Sequence, residues 1–313
     1  MKTGKARAPS QKPASHRAKR VTVADLIRST AARLRRAKVV FAHGTSDPLA
    51  EAAFLVGETL GIHPDHVEVR AGTSVTAVQQ KKISSLVERR IRTRKPAAYL
   101  LKRIYMRGEP FYIDERAIVP RSYLGEILDS ELFAGDSFSL VPDPGAVSRV
   151  LDLCTGSGCL AILAAKRFPN ARVDAVELSK AAIEVAKRNV ADHGLKKRVR
   201  LVRGDLFAPL QGQRYDLIIS NPPYVDRKGM SGLPPECRHE PAMAFDGGAD
   251  GLLIVRTILD QAGRHLKKGG GLLCEVGHGR KALERACPDT LFLWLDTEES
   301  SGEVFWLDAD QLR

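Results

Sequence analysis

The residues best suited to chemistry are Asn221–Tyr224, with the sequence NPPY, directly after the apolar stretch YDLIIS. Two successive prolines, Pro222 and Pro223, cannot continue a strand, and a following proline keeps Asn221 out of helical geometry. The side-chain oxygen of Asn221 and the carbonyl oxygen of Pro222 can then accept both hydrogens of a planar –NH2 group, while Tyr224 stacks on it. The motif therefore predicts the recognition of a planar amino group.

A planar –NH2 group is a poor nucleophile because its lone pair is delocalised. Two acceptors can pull its nitrogen toward tetrahedral geometry and aim the lone pair at a sulfonium methyl group. Orientation and electrostatics carry such a transfer, so it needs no catalytic His or Asp. An ordinary Asn-Pro turn is the alternative explanation of the motif.

A glycine-rich turn, Asp152–Gly158 with the sequence DLCTGSG, ends one predicted strand and opens a predicted helix. Gly156 and Gly158 allow a tight turn against a ligand, and the start of a helix offers free N–H groups. Ala161 occupies the third position of the G-x-G-x-x-G/A fingerprint, so the spacing permits a dinucleotide. A nucleoside without a pyrophosphate suits the turn equally well.

Two further acids follow predicted strands. Glu177 lies 19 residues after Gly158, where it is either a ligand of both ribose hydroxyls or an ordinary surface acid. Asp205 ends the next strand, where it or Leu206 can face an adenine ring. With the glycine turn, these positions resemble the S-adenosylmethionine site of class I methyltransferases, although a dinucleotide would suit them too. The NPPY motif favours S-adenosylmethionine, because hydride transfer has no evident use for such a loop.

A regular alternation of strands and helices after Tyr123 must position these residues. The predicted strands are RVLDLCTG, RVDAVEL, VRLVRGDLF, YDLIISNPPY, GGLLCEVG, LFLWLD and EVFWLD, and the helices between them include CLAILAAKRF, AAIEVAKRNVADHG and LLIVRTILDQAGRHL. This pattern predicts an α/β, Rossmann-like fold with a seven-stranded, mostly parallel sheet. Ligands of such sheets bind at the carboxyl ends of the strands, so all the motifs should share one rim.

The chain before Tyr123 is predicted to be helical and then hairpin-forming. Asp47 before Pro48 is a helix start, and Gly61 is a stop. The hairpin turn is predicted at Gly108–Pro110. The predicted organisation is a disordered basic tail at 1–20, a helical substrate-recognition domain at 21–104, a β-hairpin linker at 105–121 and the methyltransferase domain at 122–313.

Composition bounds the class of protein. The chain has 313 residues, 43% hydrophobic and 27% charged, which excludes global disorder. Apolar stretches such as Leu160–Ala165 fall far short of the ~20 residues of a membrane-spanning helix, so we expect a soluble protein that contacts no membrane. Five cysteines without a C-x-x-C pair argue against a disulfide framework or zinc ribbon. Reduced thiols in a cytoplasmic protein explain them, and no metal site is expected.

The net charge of +12 is unevenly distributed along the chain. Residues 1–20 hold seven Lys or Arg and no acid, which is typical of a disordered tail that either contacts RNA or a ribosome or simply aids solubility. Residues 81–103 hold nine bases, with Glu88 as the single acid. This second run is either a solvated helix face or a surface for an anionic partner such as rRNA.

Taken together, four stretches resemble the protein-glutamine methyltransferases (the HemK/PrmB family). They are the NPPY motif, FYIDERAIVPRS at 111–122, the Asp-Gly-Leu of FDGGADGL at 250–252, and Arg-His-Glu-Pro at 238–241. The last stretch resembles the branch that acts on large-subunit ribosomal protein L-three, whereas the release-factor branch more often has Tyr-Glu-Pro. The resemblance covers residues 21–313. Cys237, where this branch commonly has an aromatic residue, and Glu177, in place of the commoner Asp, depart from the pattern.

The resemblance implies a role for each matching position. Catalysis would rest on Asn221, Pro222 and Tyr224, and the glutamine amide would contact these residues and Pro223. Arg121 and Glu240 would order the substrate site, or would form a structural ion pair. The residues implied to hold S-adenosylmethionine are Asp152, Thr155, Gly156, Gly158, Glu177, Asp205, Leu206 and Asn221.

The expected activity is methyl transfer from S-adenosylmethionine to a glutamine side-chain amide of a ribosomal protein, free or in an assembling large subunit. Three alternatives remain at this point. One is methylation of the GGQ motif of peptide release factors. Another is methylation of an exocyclic amine of DNA or RNA, which requires a base taken out of its stack. The third is a non-catalytic ribosome-assembly or RNA-binding protein.

Overall fold

The computed structural model describes residues 20–136, 139–298 and 300–312. The predicted disordered tail therefore lies, apart from Arg20, outside the described residues. Within them, no helix is both long and apolar enough to cross a membrane.

Four helices form the N-terminal part of the protein: α1 (Val23–Arg36), α2 (Pro48–Leu60), α3 (Ala77–Thr93) and α4 (Ala97–Leu101). The predicted ends of α2 are confirmed, because Asp47 accepts hydrogen bonds from the N–H groups of Leu49 and Ala50, and Gly61 closes the helix with a φ of 69°. Apolar side chains shared by the first three helices form a separate small core that includes Leu34, Leu55, Val56, Ile83 and Val87.

A β-hairpin follows, made of β1 (Ile104–Met106) and β2 (Glu109–Phe111). Of the turn predicted at Gly108–Pro110, only Gly108 lies in the observed turn, so this prediction is wrong in its bounds. Arg107 and Gly108, with φ of 52° and 76°, form the two-residue turn, since positive φ at both central positions matches the twist of a hairpin. Pro110 lies within β2, opposite Tyr105, which a proline tolerates in an edge strand.

The C-terminal part contains a seven-stranded sheet in the order β5-β4-β3-β6-β7-β9-β8. Pairing is parallel throughout from β5 to β7 and antiparallel between β7 and β9 and between β9 and β8. The predicted α/β fold with a mostly parallel sheet is confirmed. The strands are β3 (Arg149–Leu153), β4 (Arg172–Glu177), β5 (Val199–Arg203), β6 (Tyr215–Ser220), β7 (Leu266–Glu275), β8 (Leu293–Leu295) and β9 (Val304–Asp308).

Helices cover both faces of this sheet: α5 (Leu124–Asp129), α6 (Cys159–Arg167), α7 (Lys180–Asp192), α9 (Leu253–His265) and α10 (Arg280–Ala286). The short helix α8 (Arg227–Gly232) follows β6 and buries no residue. Each face of the sheet has its own apolar core, and successive side chains of a strand lie in different cores. Val150 packs with α5 and α6, whereas Leu151 packs with α9. The chain order reverses between β3 and β6, which lie side by side. Their carboxyl ends lead into Cys154 and Asn221, so the two main motifs meet at this point.

Candidate active site

Two adjoining cavities open where β3, β4 and β6 end. The Tyr224 cavity, of about 310 Å³, is lined by Tyr224, Pro222 and Thr155 among others. The Glu177 cavity, of about 280 Å³, is lined by Glu177, Asp205 and other residues. Their shared lining residues are Ile118, Cys154, Gly156, Asn221 and Ala244. Asn221 therefore stands at the junction, beside both cavities.

The glycine turn forms the floor of both cavities. Gly156, with a φ of +56°, brings its backbone to the cavity surface, where a side chain would intrude. Gly158 allows the turn to pack closely against α7, because a Cβ atom on residue 158 would lie 3.2 Å from the Cβ atom of Ala186. Asp152 lines neither cavity and is fully buried. Its carboxylate accepts a hydrogen bond of 2.5 Å from the Thr155 hydroxyl, so it holds the turn from beneath.

Glu177 is half-buried at the end of β4. One carboxylate oxygen accepts a hydrogen bond from the N–H of Gly156 at 2.9 Å, and the other from the N–H of Ser179 at 2.8 Å. Burial raises the pKa of the Glu177 carboxyl above its ordinary value, against the lowering effect of these N–H groups. Each oxygen retains a lone pair for a further donor, such as a ribose hydroxyl in the Glu177 cavity.

The rest of the Glu177 cavity suits a flat apolar ring beside a polar sugar. Asp205 is exposed at its rim, while Leu206 is buried and takes an unusual φ of 41°. Further apolar surface comes from Val176, Pro223 and Ile254. An acceptor carboxylate next to an apolar slot suits a group that joins a ribose to a flat ring, so these residues fit an adenosine-containing cofactor such as S-adenosylmethionine.

The side-chain amide of Asn221 has a defined orientation. Its Nδ2 donates a hydrogen bond of 3.2 Å to the carbonyl oxygen of Arg121, and a carbonyl can only accept. Its Oδ1 has no hydrogen-bond donor among the described residues, and neither does the carbonyl oxygen of the buried Pro222. Two free acceptors thus belong to neighbouring residues that both line the Tyr224 cavity, as an incoming –NH2 group would need.

Tyr224 is held by two residues that the sequence did not point out. Its ring packs on Gly277, where a Cβ atom would lie 2.6 Å from Cε2 of the ring. Its hydroxyl donates a hydrogen bond of 3.3 Å to Glu275, a carboxyl with 1% exposure at the end of β7. Burial raises the pKa of Glu275 to about 7. Glu275 ends a strand and Gly277 follows it at the same rim, which is the signal that could have identified them.

Arg121 and Glu240 form an ion pair. The guanidinium donates to both carboxylate oxygens of Glu240, at 2.9 and 3.1 Å. Glu240 is buried and also accepts from the N–H of Val119 at 2.9 Å. Burial alone would raise the pKa of Glu240, but His43 and Arg121 outweigh burial and hold this pKa below its ordinary value. Arg121 lines the Tyr224 cavity, whereas Glu240 lies behind it.

Buried polar and charged side chains join the N-terminal part of the protein to the loop that follows NPPY. The sequence did not indicate these contacts. His43 lies 3.0 Å from Glu240 and 3.6 Å from the thiol of Cys237. These three buried groups offer metal-ligating atoms within 4.8 Å of one another, but both oxygens of Glu240 already bind Arg121. Glu236, fully buried, pairs with Arg94 at 3.3 Å and with the equally buried Arg90 at 3.6 Å. No sequence spacing indicates such contacts.

Comparison with known proteins shows to which protein family the chain belongs. Residues 25–101 match the PrmC N-terminal domain and residues 139–232 match the Methyltransferase small domain. A ribosomal protein uL3 glutamine methyltransferase from Bradyrhizobium diazoefficiens is 59% identical over 313 residues, covering 99% of this chain and 98% of that protein. The chain belongs to the ribosomal protein uL3 glutamine methyltransferase family. Another family member, from Bordetella pertussis, is 46% identical over 291 residues, covering 93% and 96% of the two chains.

Membership of the uL3 glutamine methyltransferase family confirms the resemblance seen in the sequence, including the branch indicated by Arg-His-Glu-Pro. It also confirms that the protein is an enzyme of the methyltransferase class. The alternative of a non-catalytic ribosome-assembly or RNA-binding protein is therefore excluded.

Proposed function

We propose that this enzyme transfers a methyl group from S-adenosylmethionine to the side-chain amide nitrogen of a glutamine in ribosomal protein uL3. The observation that carries the proposal is Asn221 at the junction of the two cavities, with Oδ1 free and Nδ2 committed to Arg121. A glutamine amide offers two N–H donors in one plane, which match the oxygens of Asn221 and Pro222.

S-adenosylmethionine supplies an electrophilic sulfonium methyl group when it is bound. Glu177 binds the ribose, Asp205 and Leu206 flank the adenine, and the Thr155–Gly158 turn follows the backbone of the ligand. Among the substrate-binding residues, Asn221 and Pro222 draw on the two amide hydrogens and so direct the nitrogen lone pair toward the junction. Pro223 fixes the loop, and Tyr224 stacks on the amide plane.

The substrate is expected to be uL3 either free or in an assembling large subunit. The names of the family members support uL3 as the protein partner. The exposed bases among residues 81–103, which do not include the buried Arg90, support a weak additional contact with rRNA, together with the basic tail. Since ribosomal proteins are made in the cytoplasm, we place the activity there.

A transfer assay with methyl-labelled S-adenosylmethionine tests the proposal on unmethylated uL3, release factor and rRNA side by side. We expect label on a uL3 glutamine, located by peptide mass mapping and lost in Asn221→Ala. Asn170→Ala, a surface asparagine that bonds only the Gly145 carbonyl, is the matched control and should keep full activity. Label on release factor would keep the chemistry and replace the substrate, whereas label on rRNA alone would refute a protein substrate.

A further inference from the structure

The segment between the hairpin and α5, residues 119–123, is held at both ends by buried carboxylates. At one end the N–H of Val119 donates to Glu240 at 2.9 Å. At the other end the N–H of Tyr123 donates to Glu275 at 3.0 Å. The carbonyl that orients Asn221 belongs to Arg121, midway between these two anchors.

Glu275 accepts three hydrogen bonds from two separate parts of the chain. One of its oxygens accepts hydrogen bonds from the Ser122 hydroxyl at 2.6 Å and from the N–H of Tyr123. The other accepts from the hydroxyl of Tyr224 at 3.3 Å. Its side chain does not line either cavity, so it cannot contact the reacting atoms.

We infer that Glu275 is a positioning residue of the methyl transfer: it fixes Tyr224 directly and Asn221 through the 119–123 segment. Both elements of the amide-binding site thus depend on one buried carboxyl at the end of β7. If the carboxyl is removed, Ser122 and Tyr123 lose an anchor, the Arg121 carbonyl shifts, and the two free acceptors no longer match the plane of an amide. The inference rests on the proposed function for its kinetic consequence, but its geometric consequence is independent of it.

Two substitutions of Glu275 distinguish a positioning role of its carboxyl from a role in proton transfer. Glu275→Ala removes every contact, and we expect kcat to fall about 30-fold or more, because small misplacements of reacting groups cost up to about 100-fold. The Kd for S-adenosylmethionine should change less than about threefold, since the Glu275 carboxylate makes no hydrogen bond to Glu177 or to the glycine turn. In Glu275→Gln the amide oxygen can still accept from Ser122 and Tyr123 while the –NH2 group donates to the Tyr224 hydroxyl, so kcat should recover to within about threefold of wild type.

The matched control is Glu303→Gln. Glu303 is a nearby carboxylate that pairs with the exposed His278 at 2.9 Å, and this variant should retain wild-type kcat. Ser122→Ala covers the case in which Glu275→Ala fails to fold. It removes one anchor of the same segment and should lower kcat several-fold with cofactor binding preserved.

A second readout does not require activity. The chain has six tyrosines, so 3-fluorotyrosine labelling gives a small ¹⁹F spectrum in which Tyr224 is assigned by its loss in Tyr224→Phe. We expect the Tyr224 resonance to move in Glu275→Ala and to stay near its wild-type position in Glu275→Gln. An unmoved resonance in the variant lacking the anchor overturns the inference even if no uL3 is labelled. Equal inactivity of Glu275→Gln and Glu275→Ala would overturn the positioning role in favour of an acid–base role. Absence of uL3 labelling by the wild-type protein would refute only the proposed function.

Discussion

The carbonyl oxygen of Arg121 accepts a hydrogen bond of 3.2 Å from Nδ2 of Asn221, across 100 positions of sequence. This contact decides which end of the asparagine amide faces the junction of the cavities. The orientation of the NPPY motif therefore depends on the linker from the hairpin as well as on the loop that carries the motif. Asparagine and aspartate, although equal in size, are not equivalent at such a position.

Asn221→Asp should abolish most of the activity. A carboxylate presents oxygen on both sides, so one oxygen would face the Arg121 carbonyl and be repelled from it. We expect kcat to fall by about 100-fold or more, in line with the loss of one oriented hydrogen-bonding group in an active site. The Kd for S-adenosylmethionine, measured by calorimetry, should rise only a few-fold. A variant that retains wild-type kcat would show that the amide orientation has no role.

Gly277→Ala should displace the ring of Tyr224. The added Cβ atom would lie 2.6 Å from Cε2 of that ring, and the φ of +50° adds backbone strain. We expect kcat to fall about tenfold or more. Gly194→Ala is the matched control, because Gly194 has a φ of +70° with nothing within 4 Å of an added Cβ atom. Both variants should lose some thermal stability, but only Gly277→Ala should lose activity in the transfer assay.

Glu177→Gln should weaken cofactor binding. The two oxygens of Glu177 accept N–H groups of Gly156 and Ser179, and an –NH2 group in place of either oxygen would oppose one of these donors. We expect the Kd for S-adenosylmethionine to rise about tenfold or more. Glu184→Gln, an exposed glutamate of α7 that pairs with Lys187, should bind with wild-type affinity. Equal affinities of the two variants in calorimetry would contradict a ribose-binding role for Glu177.

The buried carboxyl of Glu275 should make stability depend on pH. Burial raises its pKa from 4.5 to about 7, so between these values the folded protein retains a proton that the unfolded chain has lost. Stability then falls as pH rises through this window. Glu275→Gln cannot ionise, and its free energy of unfolding should fall less than that of the wild type between pH 4 and pH 8, by roughly 3 kcal/mol at most. Denaturant unfolding at both pH values measures the difference, and parallel losses would contradict a protonated Glu275.

The fold was predictable because each strand and helix of the sheet domain carries its own pattern. The stretches from RVLDLCTG to EVFWLD alternate with helices at the length of βα units, and the rule for ligands at strand ends then brings Gly156, Glu177 and Asn221 to one rim. The hairpin turn differs from the prediction because Pro110, a residue type that favours turns, lies within β2. A proline is equally acceptable in an edge strand, and Gly108 permitted the tighter turn with Arg107.

The supports of the site were not predictable from spacing. Glu275 is a single acid at the end of an apolar strand. The residues around it in the sequence do not indicate that it contacts Ser122, 153 positions earlier. Likewise, the contact of Glu236 with Arg90 arises from the packing of two parts of the chain that share no local pattern. Such buried polar contacts become visible only when the elements are assembled, because their partners are set by tertiary packing.

The segment at 116–122 has a kinetic consequence. Its first residues, Arg116 and Ala117, line the Glu177 cavity, its last residues line the Tyr224 cavity, and Ile118 lines both. A protein seated over the Tyr224 cavity would contact the same segment that borders the Glu177 cavity, and it would so cover one side of the bound cofactor. The order of release should therefore be fixed, with methylated protein departing first and S-adenosylhomocysteine second. Product-inhibition patterns report this order directly: S-adenosylhomocysteine should compete with S-adenosylmethionine, and methylated uL3 should not.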